Sequence, residues 1–174
     1  MKIRLLMIFA LLALAIGCAG LQPIEDREKI YGKEVPVITN SYASKEIRPG
    51  DTWKIYLIAS DADGDMKNII CTIDQPGVGV YPVSFTKIKE ENGKELSGYL
   101  YLNTLVVNAG KLNYVKLTLK IQIEDKSGHF SEPAVFPLSF NSHSTQEAPP
   151  KGVFQEKDLG PIMVTLQTIQ DWDD

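Results

Sequence analysis

The chain has 174 residues, is 44% hydrophobic and 23% charged, and carries a formal net charge of −4 with two cysteines and two histidines. That composition suits a globular domain with a substantial core, and it excludes a disulfide-stapled miniprotein, a collagen-like chain and a disordered acidic polymer. With no excess of lysine and arginine to neutralise phosphates, the charge balance argues against nucleic-acid binding as well.

At the N-terminus, Lys2 and Arg4 precede Leu5 to Ile16, an unbroken apolar run of twelve residues. As a helix this run reaches about 18 Å, short of the ~30 Å hydrocarbon core, so it reads as a cleaved signal peptide rather than a membrane span. The run ends Ala15-Ile16-Gly17-Cys18. This resembles the lipobox of bacterial lipoproteins, in which small residues precede a cysteine that is acylated and becomes the new N-terminus. Ala15 stands where leucine is usual, and Ile16 where alanine or serine is usual. The resemblance implies a lipoprotein signal peptide over 1–17, lipidation at Cys18, and membrane attachment without a transmembrane helix. Several acyl chains on one residue make a stable anchor where a single chain does not. Ala19 and Gly20 follow the cysteine in place of the aspartate that retains many such lipoproteins in an inner membrane. By the same resemblance the expected location is the periplasmic side of the outer membrane, if the host is Gram-negative. The competing interpretation is an ordinary secretory signal with a fortuitous cysteine.

Removing residues 1–17, and with them Lys2 and Arg4, leaves 157 residues with a net charge of −6. Residues 18–32 are polar and mixed in charge, and are expected to form the lipidated N-terminus and a tether. Cys71 then has no partner for an intramolecular disulfide. Lying among Ile69, Ile70 and Ile73, it reads as a small buried hydrophobe.

Residues 33–141 show period-two patterning between turn signals. Val115, Leu117, Leu119, Ile121 and Ile123 alternate with Lys116, Thr118, Lys120, Gln122 and Glu124, which is the signature of a strand with one buried face. Ile55, Leu57 and Ala59 alternate in the same way with Lys54, Tyr56, Ile58 and Ser60, as do Val83 and Phe85 with Ser84 and Thr86, and Leu100 and Leu102 with Tyr99 and Tyr101. Asn92-Gly93, between strand-like flanks, predicts a type I′ hairpin turn. No stretch of the mature chain carries a sustained 3.6-residue period with caps. The expectation is an all-β fold, an antiparallel two-sheet sandwich of about seven or eight strands.

The order of Pro49-Gly50-Asp51, a strand, Asp61-Ala62-Asp63-Gly64-Asp65, further strands, then Leu112-Asn113-Tyr114 opening a strand that ends Glu124-Asp125-Lys126-Ser127-Gly128 resembles the immunoglobulin-like sandwich domains of bacterial surface proteins. The fibronectin type III, polycystic-kidney-disease and cadherin-like groups are the nearest in pattern. The resemblance implies that Tyr114 packs its ring inward as a tyrosine corner. It is specific for fold and silent on activity, because such sandwiches are generic scaffolds.

Residues 142–160 are polar, contain Pro149-Pro150-Lys151-Gly152, and read as a linker or long loop. In 161–174, Ile162, Val164 and Leu166 alternate with Met163, Thr165 and Gln167 before an acidic end. An extra C-terminal strand is expected there, joining a sheet edge of this domain or a partner's edge, with a disordered tail as the alternative.

Asp61, Asp63 and Asp65 place three carboxylates within five residues. Hard oxygen ligands so clustered suit Ca²⁺, and Asp125 on the later hairpin approaches the same end if the strand order holds. The spacing departs from the EF-hand, since Gly64 is the fourth residue of the run rather than the sixth and Thr72 stands where the bidentate glutamate belongs. The alternative is structural, because Asp-Gly-Asp also makes good turns. His129 and His143 lack a third soft or imidazole ligand for zinc. No nucleophile elbow, phosphate loop, dinucleotide glycine pattern or Cys-x-x-Cys occurs. Tyr56, Tyr99 and Tyr101 offer either cross-strand packing or a carbohydrate or protein face. The sequence therefore suggests a lipid-anchored cell-envelope protein with a non-catalytic binding or scaffolding role and an envelope protein partner. The alternative is a calcium-dependent adhesive or carbohydrate-binding module.

Overall fold

The computed structural model describes residues 22–105 and 109–168. The expected signal peptide, Cys18 and the acidic end at 169–174 lie outside the described residues. The elements in order are a helix α1 (Ile24–Tyr31) and ten strands: β1 (Val37–Ala43), β2 (Glu46–Ile47), β3 (Thr52–Ser60), β4 (Met66–Gln75), β5 (Gly79–Val80), β6 (Ser84–Lys87), β7 (Glu95–Asn103), β8 (Lys116–Asp125), β9 (Ala134–Phe140) and β10 (Asp158–Pro161). One sheet runs β1-β3-β7-β10, and the other runs β2-β9-β8-β4-β5 with β6 also on β4.

The alternation in the sequence explains the core. From the first sheet, Ile55, Leu57, Ala59, Leu100 and Leu102 point inward. From the second, Ile69, Cys71, Ile73, Leu117, Leu119, Ile121 and Ile123 meet them, all at most 2% exposed. Each such side chain contributes on the order of 1.5–3 kcal/mol by leaving water. Cys71 is 1% exposed and unbridged, and burial pushes its thiol up to about 12. Trp53 is fully buried on β3, and its indole N–H donates to the Ser44 carbonyl oxygen at 2.8 Å.

Several expectations need correction. The sheets are not wholly antiparallel, because β10 pairs with β7 and β2 with β9 in parallel. Neither is reached by a hairpin: β2 follows a kink that carries the chain from one sheet to the other, and β10 arrives after a long crossing. Such entries do not impose an antiparallel direction. The phase of β6 is also inverted. Val83 and Phe85 are 46% and 60% exposed while Ser84 is buried. Ser84 pairs with the inward-facing Cys71, and its hydroxyl oxygen accepts the Met163 N–H.

The Asn92-Gly93 turn is not type I′. Glu90–Asn92 form a 3₁₀ turn and Gly93 has φ −64° and ψ −28°. Glycine is needed there for close approach, since a Cβ would run into the Gly64 carbonyl oxygen. Tyr114 does not form a tyrosine corner. It is 79% exposed at φ 66°, and the inward position belongs to the fully buried Leu112.

Residues 142–157 lie across the outer face of the first sheet. The Gln146 side chain accepts from the Lys54 N–H, Glu147 N–H donates to Ser44 Oγ, and Glu156 accepts from Tyr56 and Lys54. The Phe154 ring lies 5.6 Å from that of Tyr56. This cover leaves Tyr56 only 4% exposed, so the middle of β3 is buried on its outer face as well as its inner one. The expected strand at 161–174 is not found among the described residues: the strand that pairs with β7 is Asp158–Pro161, mostly within the expected linker, and 162–168 form no strand, although Ile162 and Leu166 are buried.

Candidate metal centre

Asp61 follows β3, Asp65 precedes β4, and Asp125 is the last residue of β8. Because β4 and β8 are hydrogen-bonded neighbours with Met66 opposite Asp125, both loops open at one end of the sandwich. Asp61, Asp65 and Asp125 are 2%, 6% and 0% exposed. Each offers a carboxylate oxygen, and these oxygens lie within 4.8 Å of one another. Oxygens that share a Ca²⁺ at about 2.4 Å each are at most about 4.8 Å apart, so the spacing fits a common cation. Asp63 does not join them. Its Oδ2 accepts the Glu34 N–H at 2.8 Å and helps fix the segment after α1.

The N–H donors orient the carboxylates, and of the three only Asp125 has a side-chain partner, His129, that can carry positive charge. Asp61 Oδ1 accepts the N–H groups of Asp63 and Gly64 at 2.9 and 3.4 Å, whereas Oδ2 is buried with no donor. Asp65 Oδ2 accepts the Lys126 N–H at 3.1 Å. Asp125 accepts the N–H groups of Gly128 and His129 through Oδ1, and contacts His129 Nδ1 through Oδ2 at 2.8 Å. Among the described residues, no lysine or arginine forms an ion pair with any of the three aspartates.

Loss of hydration, together with the facing charge of Asp65, pushes the Asp61 carboxyl up to about 6 against the pull of its two N–H donors. Asp65 is raised as well, first by burial and then by the charge of Asp125. Anionic groups crowded in this way take up either a proton or a cation. An all-oxygen donor set favours Ca²⁺ or Mg²⁺ over zinc, and the sequence order of ligands needs no EF-hand.

Sequence reasoning missed the second half of this site. His129 Nε2 reaches Glu28 Oε1 on α1 at 3.1 Å while Nδ1 holds Asp125. Burial lowers the affinity of the His129 ring for a proton, but the hydrogen bonds to Glu28 and Asp125 outweigh it and leave its pKa raised. Ser127 Oγ donates to the Gly32 carbonyl oxygen at 2.9 Å, and the Arg27 guanidinium lies against Gly128, where glycine leaves room for it. The segment expected to be a tether is thus fastened from Arg27 to Glu34 onto the end that holds the carboxylates. A histidine four residues after Asp125 was the one available sign; nothing in the sequence pairs it with Glu28.

No protein-family model matches the chain, and no curated protein matches it significantly.

Proposed function

We propose that the chain is a lipid-anchored, non-catalytic envelope module whose anchor-proximal end is organised by a bound Ca²⁺. The convergence of Asp61, Asp65 and Asp125 around an unpartnered, buried carboxylate oxygen carries this reading. The fold supports an immunoglobulin-like scaffold, with two facing sheets around one core and loops gathered at the ends. The lipobox-like Ala15-Ile16-Gly17-Cys18 supports acylation at Cys18.

In this reading the cation does structural work. It neutralises three carboxylates that pin the β3–β4 loop and the turn after β8, and that turn in turn holds α1 through His129 and Ser127. A Ca²⁺ ion therefore sets the orientation of the sandwich relative to its anchor, and presents the remaining surface to an envelope protein partner.

Isothermal titration of Ca²⁺ into the chelator-treated mature domain tests the site. One ion per chain is expected, with binding abolished by Asp61→Asn combined with Asp125→Asn. Absence of any binding heat at millimolar Ca²⁺, or an undiminished signal in the double variant, contradicts the assignment.

A further inference from the structure

Residues 27–34 join the sandwich through a narrow set of contacts. No residue of α1 is buried. Among the described residues, each hydrogen bond from 24–34 to the sandwich ends on one of the two loops that carry the carboxylates. His129 Nε2 meets Glu28 Oε1 at 3.1 Å, Ser127 Oγ donates to the Gly32 carbonyl oxygen at 2.9 Å, and the Glu34 N–H donates to Asp63 Oδ2 at 2.8 Å. Close approach is built in on both sides. Gly32, at φ 113°, passes so near Asp63 that a Cβ would strike its carboxylate, and Gly128, at φ 94°, leaves the space that the Arg27 guanidinium fills.

Two of these contacts are one residue away from a proposed cation ligand. His129 holds Asp125 with its backbone N–H, which donates to Oδ1, and with ring Nδ1, 2.8 Å from Oδ2; its other ring nitrogen reaches Glu28. Asp63 donates its N–H to Asp61 Oδ1 at 2.9 Å, while its side chain accepts from Glu34. The β3–β4 loop and the turn after β8 thus each hold a ligand with one group and the N-terminal segment with another. Loops drawn together by a cation present His129 and Asp63 as residues 27–34 need them. Loops whose carboxylates repel one another hold that arrangement less firmly.

We propose that residues 27–34 are a cap on the cation site and that ion binding and cap docking are thermodynamically linked, with Glu28 and His129 as positioning residues for Asp125. The proposal rests on the Ca²⁺ reading, and so on the buried Asp61 Oδ2 that has no donor; it adds how the site is regulated. The two states are a docked and a released cap. Linkage is reciprocal, so the factor by which the ion favours docking is the factor by which the docked cap favours the ion. Once released, residues 27–34 lengthen the link that precedes the sandwich by up to about 28 Å when extended.

Hydrogen exchange and isothermal titration on the chelator-treated mature chain read the two sides of this linkage. Millimolar Ca²⁺ is expected to slow exchange at the Gly32 and Glu34 amides by about fivefold or more. Glu28→Ala removes the helix side of the His129 bridge and leaves all three aspartates in place. It is expected to weaken Ca²⁺ binding by about tenfold or more, as when the outer partner of a metal ligand is lost. Glu25→Ala removes the same charge from an exposed position of α1, and is expected to change the affinity by less than about twofold. A native chain that binds Ca²⁺ without slowing those two amides overturns the linkage and leaves the ion site standing, as does a Glu28→Ala chain that binds as tightly as Glu25→Ala. No Ca²⁺ binding by the native chain overturns both. The exchange measurement uses the native sequence and so stands whether or not Glu28→Ala folds.

Discussion

In the proposed site, Asp61 is the residue on which proton and cation would compete. Burial, with the facing charge of Asp65, pushes the Asp61 carboxyl up to about 6 from the ordinary aspartate value. In metal-free protein, the stability contributed by its protonated form is fully present below the unfolded value and is lost as pH rises through about 6. If Ca²⁺ binds where the proton leaves, its affinity is expected to fall as pH drops from 7 to 5, by about tenfold for each unit below the Asp61 pKa. Titration calorimetry at several pH values checks this, and a flat affinity across that range contradicts it. The clustering of Asp61 and Asp65 was legible in the sequence, and so was the candidacy of Asp125. What was not legible was the separation of Asp63 from the group. All three loop aspartates look alike in sequence, and only the path of residues 32–34 past the loop gives Asp63 an N–H to accept.

At the scale of the element, the alternating strands were readable because one face meets the core and the other meets water. β8 is the clearest case, with Leu117, Leu119, Ile121 and Ile123 buried and Lys116, Thr118 and Lys120 exposed. β6 shows where that logic fails. An edge strand of four residues inherits its phase from the strand it pairs with, and the Cys71↔Ser84 register turns Phe85 outward. Phe85→Ser is therefore expected to change stability by less than about 0.5 kcal/mol, as for an ordinary surface change. Leu119→Ala is expected to cost about 2–5 kcal/mol. Denaturant midpoints compare the two, and a Phe85→Ser loss as large as that of Leu119→Ala contradicts the observed phase. α1 escaped detection for a related reason: a helix held by polar contacts carries no apolar stripe for periodicity to find. The cover over Tyr56 escaped because residues 142–157 are polar except for Phe154 and a few small or apolar neighbours. Their binding runs through side-chain and backbone hydrogen bonds that composition does not announce.

For the whole molecule, the architecture has two unlike ends. One collects the β3–β4 loop, the turn after β8 and α1 around three buried carboxylates; the other carries β5 and the loop between β7 and β8. The number of sheets and the location of the core followed from the sequence pattern. The two parallel pairings did not, because they depend on long-range crossings rather than on local periodicity. If Ca²⁺ completes the carboxylate end, it binds the native chain and not the unfolded one, and must raise the melting temperature. At a concentration about a hundred times its dissociation constant the gain is about 2.7 kcal/mol, which for a domain of this size is about 5–10 °C. The decisive measurement is the thermal melt of the mature chain in chelator and in millimolar Ca²⁺, alongside Asp61→Asn. The account predicts an upward shift of that order in the native sequence and its loss in the variant. Superimposable melts of the native sequence with and without Ca²⁺ would contradict it.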